Sequence, residues 1–401
     1  MILSTEQIYD TISKSIETHT DDLASICKKV FVTDPPLLTR LTPSSRSMKI
    51  QITRHAYGLE TSFEVEFGQG GKLVVFNAEY DALPGLGHAC GHNLIATSSI
   101  AAFLATAEVL RHGKLKGRVR LLGTPAEEGG GGKIRLIEAG AYQGVDACLM
   151  AHPTGRLSPE GTKKVDGISA AKSSARRQLE VTFKGQNAHA GMSPWHGKNA
   201  LDAVVSSYVN ISLLRQQLPP SARVHGVIRA GGAEPNIIPD TTSLEYYLRE
   251  STVESIQDLS RKVEACFKAG AVGTGCALEC DWHSDKDYME LCPNTAISAE
   301  FTRHMKAFGR EYLDDSGKPP MGASTDMGIH PMFSIGTEDP LIQPHTPEFA
   351  AAAGTKEALN SALDCGKGLA ATACEVLLGP ELSVKAWDEF RRDVEPIIDR
   401  L

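Results

Sequence analysis

Several features that would place this chain in a special class are missing. No two cysteines are spaced C-x-x-C, and the nine cysteines are scattered and odd in number. That distribution argues against a disulfide framework and favours a reducing, cytoplasmic location. No uninterrupted run of 18 apolar residues occurs, so no membrane span is expected. The first residues read as an amphipathic helix and lack the basic and apolar segments of a signal peptide.

An excess of positive charge is also absent. With 41 Lys and Arg against 49 Asp and Glu, the net charge is −8, which argues against a nucleic-acid or anionic-membrane partner. The length of 401 residues allows two domains and a large hydrophobic core.

Two glycine-rich turns lack residues that phosphate-binding loops require. Gly85–Cys90 nearly matches the dinucleotide fingerprint G-x-G-x-x-G, but Cys90 replaces the third glycine and Pro84 sits in the same turn. Gly129–Lys133 lacks the spaced first glycine of a P-loop, and Ile134 replaces the Ser or Thr that would hold magnesium. We disfavour a nucleotide site at the first turn and reject one at the second.

Three short apolar runs predict buried parallel strands early in the chain. They are 73–76, 119–122 and 147–151, separated by helical segments at 94–110 and 133–138. This β-α-β-α-β order is typical of an open α/β sheet.

The middle of the chain has a different pattern. Strand-like segments lie at 178–183, 223–230, 243–249 and 276–282, and helical ones at 199–218 and 251–268. The order β-α-β-β-α-β is that of the split, ferredoxin-like unit. We therefore predict a small inserted domain at 173–287, within a larger catalytic domain formed by 1–172 and 288–401.

Metal-ligand residue types follow each of the first three predicted strands. In chain order they are Asp81, Cys90 and His92, then Glu127 and Glu128, then His152. Each alone has a simpler explanation, as a core cysteine, a satisfied histidine or a solvated glutamate. Because ligands gather at the carboxyl ends of strands in open α/β sheets, we expect these side chains to converge. Mixed N, S and O donors suit zinc or a similar divalent ion.

The adjacent pair Glu127 and Glu128 suggests a division of labour. Neighbouring side chains cannot point the same way, so one can bind metal while the other faces the water that the metal activates. That arrangement would supply a general base and a ligand from one turn.

At this point the chain resembles a known family. The motifs are AEYDALPGLGHACGHN, GTPAEEGGGGK, MAHP, GQNAHAGMSPWHGKNALDA, PNIIP, YYLR, STDMG and HTPEF. They are similar to those of the two-metal aminoacylase/carboxypeptidase family of peptidases, especially its amidohydrolase branch and the β-alanyl-lysine-type dipeptidases. The resemblance implies an open mixed-sheet, zinc-peptidase-like catalytic domain with an inserted ferredoxin-like lid that also mediates a homodimer.

The resemblance also implies roles for matching side chains in the catalytic domain. The implied metal ligands are Cys90, His92, Glu128, His152 and His345. They would hold one or two divalent ions, with Cys90 bridging two; zinc is favoured, with manganese or cobalt as alternatives. Glu127 would be the general base, and Asp81 would orient a ligand.

In the predicted lid, the resemblance implies substrate contacts. His189 matches a histidine that reaches the active site, often that of the partner protomer, and stabilises the oxyanion. Asn236 and Arg249 match residues that contact substrate, and the guanidinium of Arg249 would suit a substrate carboxylate. For Arg249, a surface charge at a strand edge is the competing interpretation.

Two positions depart from the family pattern. Between STDMG (324–328) and Ile329–Pro331 the family carries several more residues, beginning Asn-Val-Ser, which are missing here. The missing residues would alter the geometry of the segment before His345 and the pocket for the substrate amide. Asn93 stands where other members of the branch carry Asp.

We therefore expect metal-dependent hydrolysis of the amide bond of a dipeptide or N-acyl amino acid with a free carboxylate, by a metal-activated water. One alternative is a repurposed member that forms or rearranges C–N bonds in secondary metabolism, which the shortened segment motivates. Another is a binding protein with a dead site, against which the retained Glu127 and ligand set speak.

Overall fold

The protein is described by a computed structural model over residues 3–30, 51–155, 157, 165–284, 287–327, 331–337, 339 and 341–398. The helices in these ranges are α1 (Thr5–Val30), α2 (His92–Gly113), α3 (Gly132–Glu138), α4 (Ala200–Leu214), α5 (Val253–Thr274), α6 (Thr295–Ala307), α7 (Pro347–Ala353), α8 (Lys356–Leu378), α9 (Pro380–Asp393) and α10 (Glu395–Ile398). The strands are β1 (Gln51–Arg54), β2 (Phe63–Gln69), β3 (Leu73–Ala78), β4 (Gly117–Gly123), β5 (Ala147–Leu149), β6 (His152–Thr154), β7 (Gly167–Ile168), β8 (Ala175–Lys184), β9 (Arg223–Ala230), β10 (Thr241–Glu250), β11 (Ala277–Trp282), β12 (Tyr312–Leu313) and β13 (Met332–Ser334).

The chain divides into two compact units. Unit 1 comprises Met1–Lys172, Cys292–Lys318 and Asp326–Leu401, and unit 2 comprises Ser173–Leu291 and Pro319–Thr325. The predicted insert, 173–287, lies within unit 2. The second segment of unit 2 was not indicated by the sequence pattern, because it contains no regular element that a period would reveal.

The main sheet of unit 1 has the strand order β1-β2-β4-β3-β5. As predicted, β3 pairs in parallel with both β4 and β5. Every residue of β3 is buried, which explains its unbroken apolar run. The antiparallel strands β1 and β2 extend the sheet beyond β4 and were not predicted. The mixed α/β fold expected from the sequence is thus confirmed.

Helix α2 forms the centre of the unit 1 core. Its residues from His92 to Ala107 are all buried, and small Ala, Ser and Thr side chains let its neighbours approach closely. By length and composition α2 is apolar enough to cross a membrane, but 94% of its most apolar window is buried inside the protein. The core helix of a globular unit has the same length, composition and burial.

A smaller sheet in unit 1 positions His152. Its strand order is β12-β7-β13-β6, and β6 begins at His152 and pairs in parallel with β13. The N–H of His152 donates to the carbonyl oxygen of Pro331 at 2.9 Å. The histidine backbone is therefore fixed at a strand start rather than in a free loop.

Unit 2 contains a sheet with the order β11-β8-β10-β9, all pairs being antiparallel. With α4 and α5, its element order is β-α-β-β-α-β, as the sequence predicts. A capping box closes the start of α5. Ser255 Oγ accepts from the Thr252 N–H, and Thr252 Oγ1 accepts from the Ser255 N–H.

A buried histidine in unit 1 predicts a pH-dependent loss of stability. His304 is 2% exposed and its Nδ1 lies 2.8 Å from the Tyr9 hydroxyl. Burial, and next the charge of Arg303, lower the pKa of His304 from 6.5 to about 4. The unfolded chain binds this proton first, so stability should fall as pH drops from 6.5 towards 4, by about 3 kcal/mol in total. Urea unfolding at a series of pH values should show the free energy of unfolding falling with pH in the wild type and a weaker fall in His304→Gln. The same pH dependence in both proteins would contradict the role of His304.

Candidate metal centre

The turn after β3 brings its side chains together through one glycine. Gly91 adopts φ 78°, and a Cβ there would lie 2.5 Å from the Pro153 side chain. Only glycine allows both the left-handed conformation and this close approach. The C-G-H sequence therefore places Cys90 and His92 beside the strand that begins with His152.

His92 is held between carboxylates at both ring nitrogens. Its Nδ1 donates to Asp81 Oδ1 at 3.2 Å, and Asp81 Oδ2 accepts the backbone N–H of Glu128 at 3.0 Å. Burial alone would raise the pKa of Asp81, but the hydrogen bond and charge of His92 bring it down to about 2. Asp81 thus orients both a histidine and the turn that carries the glutamate pair.

The Nε2 atom of His92 faces acidic oxygens instead. Glu79 Oε2 lies 3.5 Å away, Glu127 Oε2 3.8 Å and Glu128 Oε1 3.9 Å. Burial would lower the pKa of His92, yet Asp81, Cys90 and Glu79 raise it well above its usual value. The acidic oxygens around Nε2 therefore favour a positive charge at this position.

Cys90, His152 and His345 complete the convergence. Cys90 Sγ lies 3.5 Å from His152 Nε2, whose ring Nδ1 donates to the Pro153 carbonyl at 2.6 Å. His345 adopts φ 68°, its N–H donates to the Ala89 carbonyl at 2.8 Å, and its Nε2 lies 3.6 Å from Glu128 Oε2. Burial, partly offset by His92, raises the pKa of the Cys90 thiol to about 12.

The donor atoms fit one or two divalent ions. Ligand atoms lie within 4.8 Å of one another in the groups Cys90–His92–His152, Cys90–Glu128–His345 and Glu79–His92–Glu127. Two nitrogen or oxygen ligands about 2.0–2.2 Å from one tetrahedral ion are about 3.3–3.6 Å apart. His92 Nε2, Glu79 Oε2 and Glu128 Oε1 are buried and have no hydrogen-bond partner among the described residues. Buried ligand atoms that lack hydrogen-bond partners and lie at ligand spacing fit a bound cation.

The side chains of the adjacent Glu127 and Glu128 diverge less than the sequence predicted. Both approach His92 Nε2, but Glu128 also faces His345, whereas Glu127 groups with Glu79. Burial, and next the Glu79 carboxylate, raise the pKa of Glu127 to about 8. A carboxyl with a raised pKa beside candidate metal ligands suits a proton-transferring group.

Three further charged residues of this site were missed from the sequence. Lys133 Nζ donates to Glu79 Oε1 and to Asp326 Oδ1, each at 2.5 Å, and all three side chains are at most 2% exposed. The signals were present, because Glu79 belongs to AEYD, Lys133 ends the rejected P-loop and Asp326 belongs to STDMG. The spacing of these three residues matches no metal-ligand pattern, so only the fold reveals that Lys133 contacts both carboxylates.

The three predicted lid residues lie in unit 2. His189 is exposed, and its Nδ1 accepts the backbone N–H groups of Gly191 and Met192 at 3.2 and 3.1 Å. The remaining ring nitrogen, Nε2, therefore carries the hydrogen. The N–H of Ala190 donates to the Asn236 carbonyl at 2.9 Å, which fixes these segments together. Arg249 Nη1 donates to Ser324 Oγ at 2.8 Å.

The shortened segment lies partly outside the described residues. Gly328, Ile329 and His330 fall in that part, so the departure before His345 stays a sequence observation. Asn93, the other departure, is fully buried, and its side-chain N–H₂ donates to the Ala353 carbonyl at 3.0 Å and to Cys27 Sγ at 3.3 Å. An amide can donate to both acceptors, which an ionised Asp cannot.

A separate group of possible ligands is already neutralised. Glu300, His304 and Glu375 lie on α6 and α8. Arg303 donates to Glu300 at 2.6 Å and to Glu375 at 3.3 Å. The guanidinium supplies the positive charge there, so this group is a salt-bridge network.

Comparison with known families decides which protein family the metal centre belongs to. The model of peptidase family M20/M25/M40 matches residues 75–360, which include Cys90, His92, Glu128, His152 and His345. The chain belongs to peptidase family M20/M25/M40. It is therefore a hydrolase, as the resemblance implied.

Two relatives narrow its place in family M20/M25/M40. The mouse Xaa-Arg dipeptidase is 40% identical over 84% of this chain and 79% of its own length. One chain of the p-aminobenzoyl-glutamate hydrolase of Escherichia coli is 28% identical over 76% of this chain and 66% of its own length. Both act on amide bonds according to their names, which supports metal-dependent amide hydrolysis as the reaction class.

A solved structure supports the M20 fold. A Bacillus subtilis protein described as a dinuclear metal-binding peptidase of the M20 family has a TM-score of 0.62. It is 20% identical and covers 90% of this chain and 99% of its own. At this level of identity the likeness supports the fold of the chain.

Proposed function

We propose that this protein hydrolyses the amide bond of a dipeptide, or of an N-acyl amino acid, that carries a free carboxylate. The observation that supports this most is the convergence of Cys90, His92, Glu128, His152 and His345 at ligand spacing, with the buried Glu127 3.8 Å from His92 Nε2. The names of its relatives favour dipeptides with a basic C-terminal residue as first substrates.

The side chains named above would share the chemistry as follows. A divalent ion held by the ligand set would supply Lewis acidity, lowering the pKa of a bound water from ~16 to about 7. Glu127 would accept the proton of the attacking water and return it to the leaving amine. Asp81 would keep Nδ1 of His92 protonated and so leave Nε2 available as a ligand.

Three unit 2 residues are proposed to act on the substrate itself. With its Nδ1 accepting two backbone N–H groups, His189 would offer Nε2–H to the developing oxyanion. Arg249 would bind the substrate carboxylate, with Ser324 holding the guanidinium. Asn236 would contact the same end of the substrate.

A substrate panel tests the proposed reaction. The protein is stripped with a chelator, reloaded with Zn²⁺, Mn²⁺ or Co²⁺, and given Xaa-Arg, Xaa-Lys, β-alanyl, N-acetyl and aromatic N-acyl amino acids. Each good substrate is paired with its C-terminal amide as a matched control. We expect hydrolysis that requires metal and the free carboxylate. No hydrolysis by any metal form would contradict the proposal, and condensation of added amines and acids would favour the C–N bond-forming alternative.

We also propose that the protein is a homodimer formed through unit 2. Strand β9 is an edge of its sheet and is exposed along almost its whole length, including Val227 and Ile228. Helix α4 exposes four more large apolar side chains, namely Val205, Tyr208, Val209 and Leu213. An open strand edge together with an exposed apolar helix face is a surface that association with a second copy would bury.

Charge substitutions on this surface should produce monomers. We expect Val209→Lys with Ile228→Lys to halve the mass measured by light scattering, because paired apolar surfaces do not tolerate buried ammonium groups. Val272→Lys with Val384→Lys is the matched control, since both valines are exposed but lie on α5 and α9. A monomeric wild type, or equal effects of both double variants, would contradict the proposed interface.

A further inference from the structure

One carboxylate at the metal centre, that of Glu79, has a hydrogen-bond partner on only one of its two oxygens. Glu79 follows β3 directly and is 0% exposed. Its Oε1 accepts from Lys133 Nζ at 2.5 Å, but its Oε2 has no hydrogen-bond partner among the described residues. Because water cannot reach a fully buried oxygen, leaving Oε2 without a partner is costly.

The orphaned oxygen points at an orphaned nitrogen. Glu79 Oε2 lies 3.5 Å from His92 Nε2, which also lacks a hydrogen-bond partner within the described ranges. That separation falls within the range of about 3.3–3.6 Å expected for two ligands of one tetrahedral ion. Glu79, His92 and Glu127 form one of the groups whose donor atoms lie within 4.8 Å of one another.

Asp326 gives a contrast within the same ionic cluster. It is equally close to Lys133 Nζ, at 2.5 Å, and its side chain is 1% exposed. Both of its oxygens are used, because Oδ2 accepts the Lys133 backbone N–H at 3.0 Å. A residue that served only to neutralise Lys133 would resemble Asp326, whereas Glu79 keeps one oxygen towards His92.

We propose that Glu79 is an additional oxygen donor of the metal centre, oriented by Lys133, and that Asp326 balances the charge of Lys133. This inference rests on the metal centre proposed above and adds to it a carboxylate that the ligand motif does not contain. Glu79 and Asp326 together outnumber the single charge of Lys133, so the cluster remains net negative and favours a cation beside His92.

Metal affinity, measured without any turnover, tests the role of Glu79. Metal-free protein is titrated with Zn²⁺ against a chromophoric chelator, for the wild type, Glu79→Gln and Asp326→Asn. Both variants remove one of the two carboxylates on Lys133, so they should disturb the fold similarly. We expect Glu79→Gln to weaken Zn²⁺ binding by about 10- to 100-fold or more, and Asp326→Asn to weaken it by less than about 3-fold.

A second Glu79 variant and the spectrum of bound Co²⁺ distinguish loss of a ligand from misfolding. Glu79→Asp keeps the charge for Lys133 but withdraws the oxygens by about 1.5 Å, so it should fold and still lose affinity. The visible bands of the Co²⁺-loaded protein should shift in both Glu79 variants and not in Asp326→Asn. Equal affinity losses in Glu79→Gln and Asp326→Asn, or none in Glu79→Gln, would overturn the inference. A wild type that binds no Zn²⁺ would instead overturn the proposed function.

Discussion

Replacing Glu127 by glutamine should lower kcat by about 10²- to 10⁴-fold, the usual contribution of a general acid–base group. Glu127 is 7% exposed, and burial followed by the charge of Glu79 raises its pKa to about 8. Glutamine has nearly the same shape but cannot take a proton from water. Because the lost interaction belongs to the transition state, KM should change little.

Two measurements make the Glu127 result specific. Glu138→Gln is the matched control, since Glu138 is an exposed glutamate at the end of α3, and its kcat should stay within about twofold of the wild type. Metal content, measured by elemental analysis, should be unchanged in Glu127→Gln but reduced in Glu128→Gln. Full activity of Glu127→Gln would exclude it as the base, and loss of metal from that variant would make Glu127 a ligand.

Replacing Lys133 by methionine should cost about 3–5 kcal/mol of folding free energy, the cost of removing one partner from a buried ion cluster. Burial alone would lower the pKa of Lys133, but Asp326 and Glu79 raise it well above its usual value, so the ammonium stays charged. Methionine would leave two buried carboxylates facing an apolar chain. The backbone beside Lys133 is tightly packed, since a Cβ on Gly132 would lie 1.7 Å from the Pro125 carbonyl oxygen.

Urea unfolding of the metal-free protein measures the Lys133 effect. Lys268→Met is the control, because Lys268 is 65% exposed and pairs with Glu264 at the surface, and it should change stability by less than about 0.5 kcal/mol. Adding Glu79→Gln and Asp326→Asn to Lys133→Met should recover part of the loss, because no uncompensated charge then remains. An unchanged stability of Lys133→Met would show that the cluster does not stabilise the fold.

Local pattern was enough to predict the elements that bear the metal centre. The run Leu73–Phe76 could be recognised because a strand buried on both faces must be apolar at every position. The order β-α-β-α-β then implied parallel strands, and parallel strands bring their carboxyl ends to one edge. That argument alone predicted the convergence of Cys90, His92, Glu128 and His152.

Other members of the site had no local signature. His345 lies in a loop far along the chain, and only the resemblance to a family indicated it. Strands β1 and β2 and the segment Pro319–Thr325 of unit 2 were not predicted. Strand β1 has only four residues and the segment has no regular period, whereas Phe63–Phe67 of β2 alternates apolar and acidic residues and could have been recognised. The adjacent Glu127 and Glu128 were expected to point apart, yet an oxygen of each lies within 3.9 Å of His92 Nε2.

The sequence by itself determined the fold class, the β-α-β-α-β order early in unit 1, the β-α-β-β-α-β order of unit 2 and the residue types expected at the metal centre. These follow from hydrophobic period, turn chemistry and the donor preferences of divalent ions, which are properties of neighbouring residues. Only the tertiary structure decided that Lys133 bridges Glu79 and Asp326, and that Glu79 faces His92. A contact between residues 79, 133 and 326 depends on how separate segments pack, and no local interaction encodes it.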